Sequence, residues 1–183
     1  RVAKVFAKAN KFYGAESYIG GLSGYVLELL IIHYGSFLKF MNKISARKKT
    51  TVIGNKKKAE VMNWAKKQSP LILIDPVQPE RNAAAALYQN QYNKIIFLAK
   101  KFIRNPSDSL FEPRDIDLKK LQKKGKLTIV ESRSITKKRD IAGAKAKKAF
   151  EFLIKHSNNF EVTDSIFDYD ENFATFYIVT KKQ

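Results

Sequence analysis

LILIDPVQPERNAAAAL, residues 71–87, joins an uninterrupted apolar run to two prolines, an Arg-Asn pair and four alanines. The run PLILID has the length and composition of a buried strand. Asp75-Pro76 ends it, because a residue before proline is pushed out of helical geometry and proline has no N–H to give a ladder. Pro79 suits the first turn of a following helix, where its missing N–H is no loss. The spacing of Ala84, Leu87, Tyr88, Ile95, Leu98, Ala99 and Phe102 predicts that this helix runs from Pro79 to Arg104 and stops at Asn105-Pro106. Arg81 and Asn82 then fall in or just before its first turn, beside free backbone N–H groups and the positive end of the helix dipole. Such a place suits an anion or a polar base edge, and an arginine fork reads either through paired hydrogen bonds. Spacing alone favours a plainer reading, in which Arg81 pairs with Asp75 or Glu80 and Asn82 is a cap.

Upstream, residues 2–12 repeat Val2, Val5, Phe6 and Ala9 at helical spacing, with Lys4, Lys8 and Lys11 on the other faces, until Tyr13-Gly14 stops the helix. GGLSG makes a loop, and Ser23 can cap one long, largely apolar core helix over YVLELLIIHYGSFLKFMNKI. TTVIG reads as a β-branched strand ended by Gly54. Between the two strands, NKKKAEVMNWAKKQ reads as a solvated helix with Val61, Trp64 and Ala65 facing inward.

Downstream, the turn-rich PSDSLFEPRD marks a boundary between a domain of residues 1–106 and one of residues 107–183. The second domain reads as a short helix Leu118 to Lys124, the strand KLTIVES, the helix IAGAKAKKAFEFLIKH and the strands FEVTDSIFD and NFATFYIVT. The fold class is α+β: a helical central domain with a short sheet, followed by a small β-α-β-β domain of the kind that can set a sheet or helix against nucleic acid.

The 183 residues are 44% hydrophobic, enough to build a core. A formal charge of +18, from 35 Lys and Arg against 17 Asp and Glu, exceeds what solubility needs and implies an anionic partner. Nucleic acid fits better than a membrane, since the basic residues are spread along the chain and no basic amphipathic helix has a Trp-rich apolar face. The longest apolar stretch, YVLELLII, carries Glu28 and is too short to span a bilayer. The opening RVAKVFAKANKFYG has no signal-peptide h-region, and the lack of cysteine removes disulfides, thiolate nucleophiles and Cys-based zinc sites. A cytoplasmic setting is expected. A start at Arg1 without methionine suggests a piece of something longer.

Lys4, Lys8, Lys11 and Tyr13 form a second constellation, able to hold a triphosphate with Tyr13 stacking or hydrogen bonding, or else an ordinary solvated lysine face. Asp115-Ile-Asp117 has the Asp-x-Asp form of two-metal enzymes. It opens a lysine-rich helix, however, so Asp117 is more simply its N-cap, and Asp168-Tyr-Asp170 falls in a hairpin turn. His33 reads as a core residue and His156 as a helix end; two histidines alone make no metal cluster. No G-x-S-x-G supports a hydrolase triad and no GxxxxGK[ST] supports a phosphate loop.

FYGAESYIGGLSGYVLELLIIHYGSFLKFM, TTVIG and LILIDPVQPERNAAAAL, in this order and spacing, resemble the central part of the archaeal (class I) CCA-adding enzymes. These are the tRNA nucleotidyltransferases that build the 3′ CCA end. The later half is similar in element order to that family's RRM-like tail region. The resemblance implies a body-and-tail portion that binds tRNA at its acceptor and TΨC arms and helps select ATP or CTP, both substrates. It carries the family's triphosphate-contacting lysine and tyrosine onto Lys4 and Tyr13, and its base-selecting arginine in the D-P-V-x-x-x-R-N motif onto Arg81, with Asn82 beside it in the nucleotide site. The family's catalytic head, with its Gly-Ser loop and metal-binding carboxylates, is not in this chain. No catalytic residue and no metal ligand is therefore expected here, Mg2+ is expected only through the head, and the chain is expected to be inactive alone. The head would be a partner in cis or as a separate subunit, and the family implies a homodimer. Arg133, Lys137, Lys138 and Arg139 are the expected tRNA phosphate contacts. The competing reading is a stand-alone RNA-binding module that transfers nothing.

Overall fold

The computed structural model describes residues 1–47, 50–133, 138–157, 159–170 and 173–181. The chain divides into two units, Arg1–Arg114 and Asp115–Gln183. The division falls inside the turn-rich PSDSLFEPRD. Leu110 and Phe111 belong to the first unit because Leu110 is buried there and Phe111 packs edge-on against Phe6, with ring centroids 5.3 Å apart.

The first unit opens with α1 (Val2–Ala9), α2 (Gly24–Tyr34) and α3 (Phe37–Ser45), and later adds α5 (Gln89–Arg104). Phe6 is the centre of its core: it meets Phe12, Phe37, Phe102 and Phe111 at centroid distances of 5.3–6.0 Å, all in edge-to-face geometry. Leu22, Leu27, Leu30, Phe40, Met41, Ile44, Tyr92 and Ile95 fill the remaining space. Two short strands, β1 (Thr51–Ile53) and β2 (Leu71–Leu73), pair in parallel with Thr51 opposite Leu71. Between them lie α4 (Lys56–Val61) and a 3₁₀ turn over Trp64–Lys67.

Three expectations change here. The helix expected from Pro79 starts only at Gln89. Residues 81–84 instead lie along the free edge of β2: Asp75 N–H donates to Arg81 C=O at 3.1 Å, Ala83 N–H to Leu73 C=O at 2.8 Å, and Ile74 and Asn82 form an antiparallel bridge. The strand edge takes the hydrogen-bonding groups a helix would have used, so tertiary pairing overrides the alanines' helical preference. The long apolar helix is two helices. Gly35 ends α2 in the left-handed region at φ 83°, and Ser36 caps α3 by accepting from Lys39 N–H. Finally, Val61, Trp64 and Ala65 are all exposed. The Asn63 side chain accepts from Ala65 N–H and starts a new turn, so the helical period breaks. Ala59 and Met62 take the inner positions, against Val52, Ile72 and Ile74.

In the second unit α6 (Leu118–Lys124) is capped by Asp117, whose carboxylate accepts from Lys120 N–H at 2.9 Å. Next come β3 (Lys126–Arg133), α7 (Arg139–Lys155), β4 (Val162–Asp170) and β5 (Phe173–Thr180). The sheet is antiparallel in the order β3-β5-β4. Phe150 of α7 packs on Ala174, Phe176 and Phe167 of one sheet face. This is the α+β class read from the sequence.

Phe6→Ala removes the shared partner of four rings and should cost about 3–5 kcal/mol, whereas Val5→Ala, at an exposed site on the same helix, should stay within about 0.5 kcal/mol. Urea denaturation of the two variants measures both.

Candidate nucleotide and RNA site

The N-terminal turn of α2 is where separate parts of the sequence meet. Ser23 caps it by accepting from Val26 N–H at 3.2 Å. Gly24, the first helical residue, sits against two side chains from elsewhere: a Cβ there would lie 2.8 Å from the Tyr13 hydroxyl and 3.4 Å from Lys4 Nζ. Glycine thus leaves room for both groups to converge on the positive end of a helix dipole. Lys4 reaches across from α1 and pairs with Glu28 at 2.6 Å. That hydrogen bond raises the lysine pKa, against a smaller effect of burial, and lowers that of Glu28. Tyr13 is fixed by its bridge to Leu22, and Lys8 Nζ stands 5.1 Å from its ring centroid. A groove of about 470 Å³ between α1 and α2, lined by Arg1, Ala3, Lys4, Leu27, Glu28, Ile31 and Ile32, opens alongside.

Tyr25, the next residue, links this turn to the end of β2. Its hydroxyl donates to Asp75 Oδ1 at 2.9 Å. Asp75 is only 2% exposed, and the same oxygen accepts from the Val77 and Gln78 amides at 2.9 and 3.2 Å. Burial pushes the carboxyl pKa up. The hydrogen bonds from Val77, Tyr25 and Gln78 and the charge of Arg81 outweigh it and hold the group below its usual value. The bond to Asp75, with partial burial and the carboxylate charge, raises the Tyr25 phenol pKa, while Arg81 opposes that rise.

Asn82 closes the other end of the loop. Its side-chain oxygen accepts from Leu73 and Ala84 N–H, each at 2.9 Å, and its amide donates to Lys66 and Leu71 C=O at 3.0 and 3.2 Å. Both donors are committed and the residue is 2% exposed, so in this structure Asn82 binds the protein's own backbone. Arg81 between the two clasps is exposed and, among the described residues, closes no ion pair with Asp75 or Glu80. Its guanidinium is available to an anion or a base edge.

Of the four expected nucleotide residues, Lys4 and Tyr13 converge at Gly24, and Arg81 is joined to the same helix turn through Tyr25 and Asp75. The sequence alone does not single out Gly24, Tyr25 or Glu28, and it gives Asp75 a strand end and a salt bridge but no bond to Tyr25. No local spacing signals a bond between residues 50 positions apart, such as that of Tyr25 to Asp75.

In the second unit Arg133 closes β3 with its guanidinium carbon 5.8 Å from the Phe173 ring centroid, and Lys138 and Arg139, both exposed, open α7. Lys137 lies outside the described residues. Among the described residues no three His, Cys, Asp or Glu side chains gather as a metal centre, and the carboxylate of Asp117 is spent on its helix cap. The described residues thus form no magnesium site. No helix among the described residues is long and apolar enough to cross a membrane.

Residues 1–112 match the family described as tRNA nucleotidyltransferase, second domain. The chain belongs to the archaeal, class I CCA-adding enzyme family. Its sequence corresponds to the family's body and tail region. It is 41% identical to the CCA-adding enzyme of Pyrobaculum aerophilum over 62% of this chain and 26% of that protein. With the CCA-adding enzyme of Pyrococcus abyssi it shares 39% identity over 63% and 28% of the two chains. With that of Archaeoglobus fulgidus it shares 34% over 95% and 41%, which includes the second unit. The chain thus spans about two fifths or less of the length of these relatives.

The Asp75 pKa is lower folded than unfolded, where it is about 3.9, so its contribution to stability is present at neutral pH and is lost as pH falls through the folded value. Tyr25→Phe removes one of the bonds that lower it. The variant should be less stable than the parent at pH 7, with the difference shrinking below about pH 4 as the carboxyl protonates in both. Denaturation midpoints measured across pH check this; a constant difference at all pH values would show that the bond is not to a carboxylate.

Proposed function

We propose that this chain is the tRNA-holding, nucleotide-selecting portion of a CCA-adding nucleotidyltransferase. The observation that carries the reading is the convergence of Lys4 and the Tyr13 hydroxyl on Gly24 at the N-terminal turn of α2, one residue from the Tyr25 that bonds the Arg81 loop. A triphosphate is suited by a helix N-terminus, an ammonium and a phenol together. On binding, phosphate oxygens compete with Glu28 for Lys4. Arg81 offers its fork to the base edge of CTP or ATP, positioned by Asn82 rather than accompanied by it.

Transfer of the nucleotidyl group to the tRNA 3′-hydroxyl needs metal-binding carboxylates, which a head domain supplies in cis or as a separate subunit. The role of this chain is to orient the triphosphate, read the base and hold the tRNA. The +18 charge favours a sequence-independent grip on the acceptor and TΨC arms through phosphates and 2′-hydroxyls, with Arg133, Lys137, Lys138 and Arg139 as contacts in an RRM-like second domain.

Affinity for tRNA should fall by at least about tenfold between 50 and 200 mM salt in a filter-binding titration, and a salt-independent affinity would overturn the RNA reading. Combined with a separately produced head domain and tRNA lacking its CCA end, the parent chain should support incorporation of CTP and ATP. Arg81→Ala should impair discrimination between the two while tRNA binding is kept. Unchanged discrimination would return Arg81 to a structural role, and binding without any incorporation would favour a stand-alone RNA-binding module.

A further inference from the structure

Trp64, the chain's single tryptophan, is 75% exposed, and Val61 three residues earlier is 86% exposed. Large apolar side chains left this open on a segment that also carries Ala59 and Met62 as inner anchors are not there for the fold. The surrounding charge is one-sided: Lys56, Lys57, Lys58, Lys66 and Lys67 stand against Glu60 alone within residues 56–67. Lys56, Lys57 and Lys58 follow one another at the start of the six-residue α4, whose first turn has no acidic residue to offset them. An external anion explains that placement better than helix stability does.

The segment is held in place. Asn55 caps α4 by accepting from Lys58 N–H at 3.4 Å, and Lys67 Nζ donates to Glu60 C=O. Lys66 Nζ donates to Glu80 C=O at 2.9 Å, and Asn82 Nδ2 donates to Lys66 C=O at 3.0 Å. The turn carrying Trp64 is therefore bonded to both residues that flank Arg81.

We propose that Trp64 is a stacking platform for an unpaired nucleobase of RNA, with Lys56, Lys57 and Lys58 holding neighbouring phosphates beside the Arg81 loop. The proposal rests on the RNA-binding reading above and adds a contact surface to it. Aromatic faces interleaved with lysines are the means by which single strands are gripped without sequence preference, because every base has a π face and every linkage a charge. A membrane would require a broader apolar face than the six residues of α4 provide. An acidic peptide would satisfy the lysines and leave the indole uncovered.

A lone tryptophan makes the test direct. The full chain is titrated with a short single-stranded RNA, a blunt RNA duplex of equal length, inorganic polyphosphate and anionic lipid vesicles while Trp64 emission is followed. Single-stranded RNA should quench the emission, whereas polyphosphate, which has charge but no bases, should bind with little quenching. Trp64→Ala should weaken single-strand binding by about 5- to 100-fold, Trp64→Phe by less, and neither should change duplex affinity by more than about twofold. Thermal melts of both variants should match the parent, as expected for an exposed side chain. If RNA binds the parent with unchanged emission and Trp64→Ala binds equally well, the stacking proposal is overturned while RNA binding stands. Quenching by anionic lipid vesicles but not by RNA would overturn it also, assigning the surface to a membrane. If no RNA binds the parent at all, the RNA-binding reading fails first and takes this proposal with it.

Discussion

Asp75 and Asn82 clasp the two ends of one loop, and the proposed nucleotide site depends on that clasp. Two polar side chains, each 2% exposed, would be costly in a protein interior if unpaired. Here Asp75 accepts two backbone N–H groups and a phenol, while Asn82 spends both amide protons and accepts twice with its oxygen. Asn82 satisfies backbone groups of Leu71, Leu73 and Ala84, all buried residues, while Asp75 orders the exposed turn at Val77 and Gln78. As a result residues 76–81 are held at both ends and Arg81 faces outward, with its charge near Asp75 but not consumed by it.

The same economy ties the site to the core. α2 buries Val26, Leu27 and Leu30 and presents Gly24 and Tyr25 at its start, so the packing that fixes the helix also fixes the groups converging on its first turn. Lys4 is placed by α1, whose Phe6 is locked among four other rings. Helices therefore carry the Lys4 and Gly24 side of the proposed site, where the exposed carboxylate of Glu28 is paired with Lys4. This suits an anionic ligand whose charge is the same whatever its sequence.

Much of this was legible in the residues. The strands TTVIG and PLILID, the Ser23 and Asp117 caps and the order of elements after residue 115 follow from period, caps and turn chemistry. The nucleotide roles proposed for Lys4, Tyr13 and Arg81 come from a family resemblance rather than from spacing, which by itself favours solvated lysines and a salt bridge. The misreadings have different causes: at residues 81–83 pairing with a strand edge outweighed a helical preference, whereas at Asn63 and at Gly35-Ser36 a local cap broke the helical period. Ala83 pairs with the edge of β2 and the alanines after it close only short turns, and a new turn at Asn63 rotates Trp64 into solvent. The Gly35-Ser36 break was visible as a C-cap and an N-cap in succession, but the apolar run on either side masked it.

A double-mutant cycle on nucleotide discrimination tests the clasp most directly, with Arg81→Ala, Asn82→Ala and the double variant each assayed with a head domain below their melting temperatures. If Asn82 acts by positioning Arg81, its loss impairs the discrimination of CTP from ATP as Arg81→Ala does, and the double variant is no worse than the more damaging single one. Additive losses would contradict the account, because they would require Asn82 to contact the nucleotide independently of Arg81.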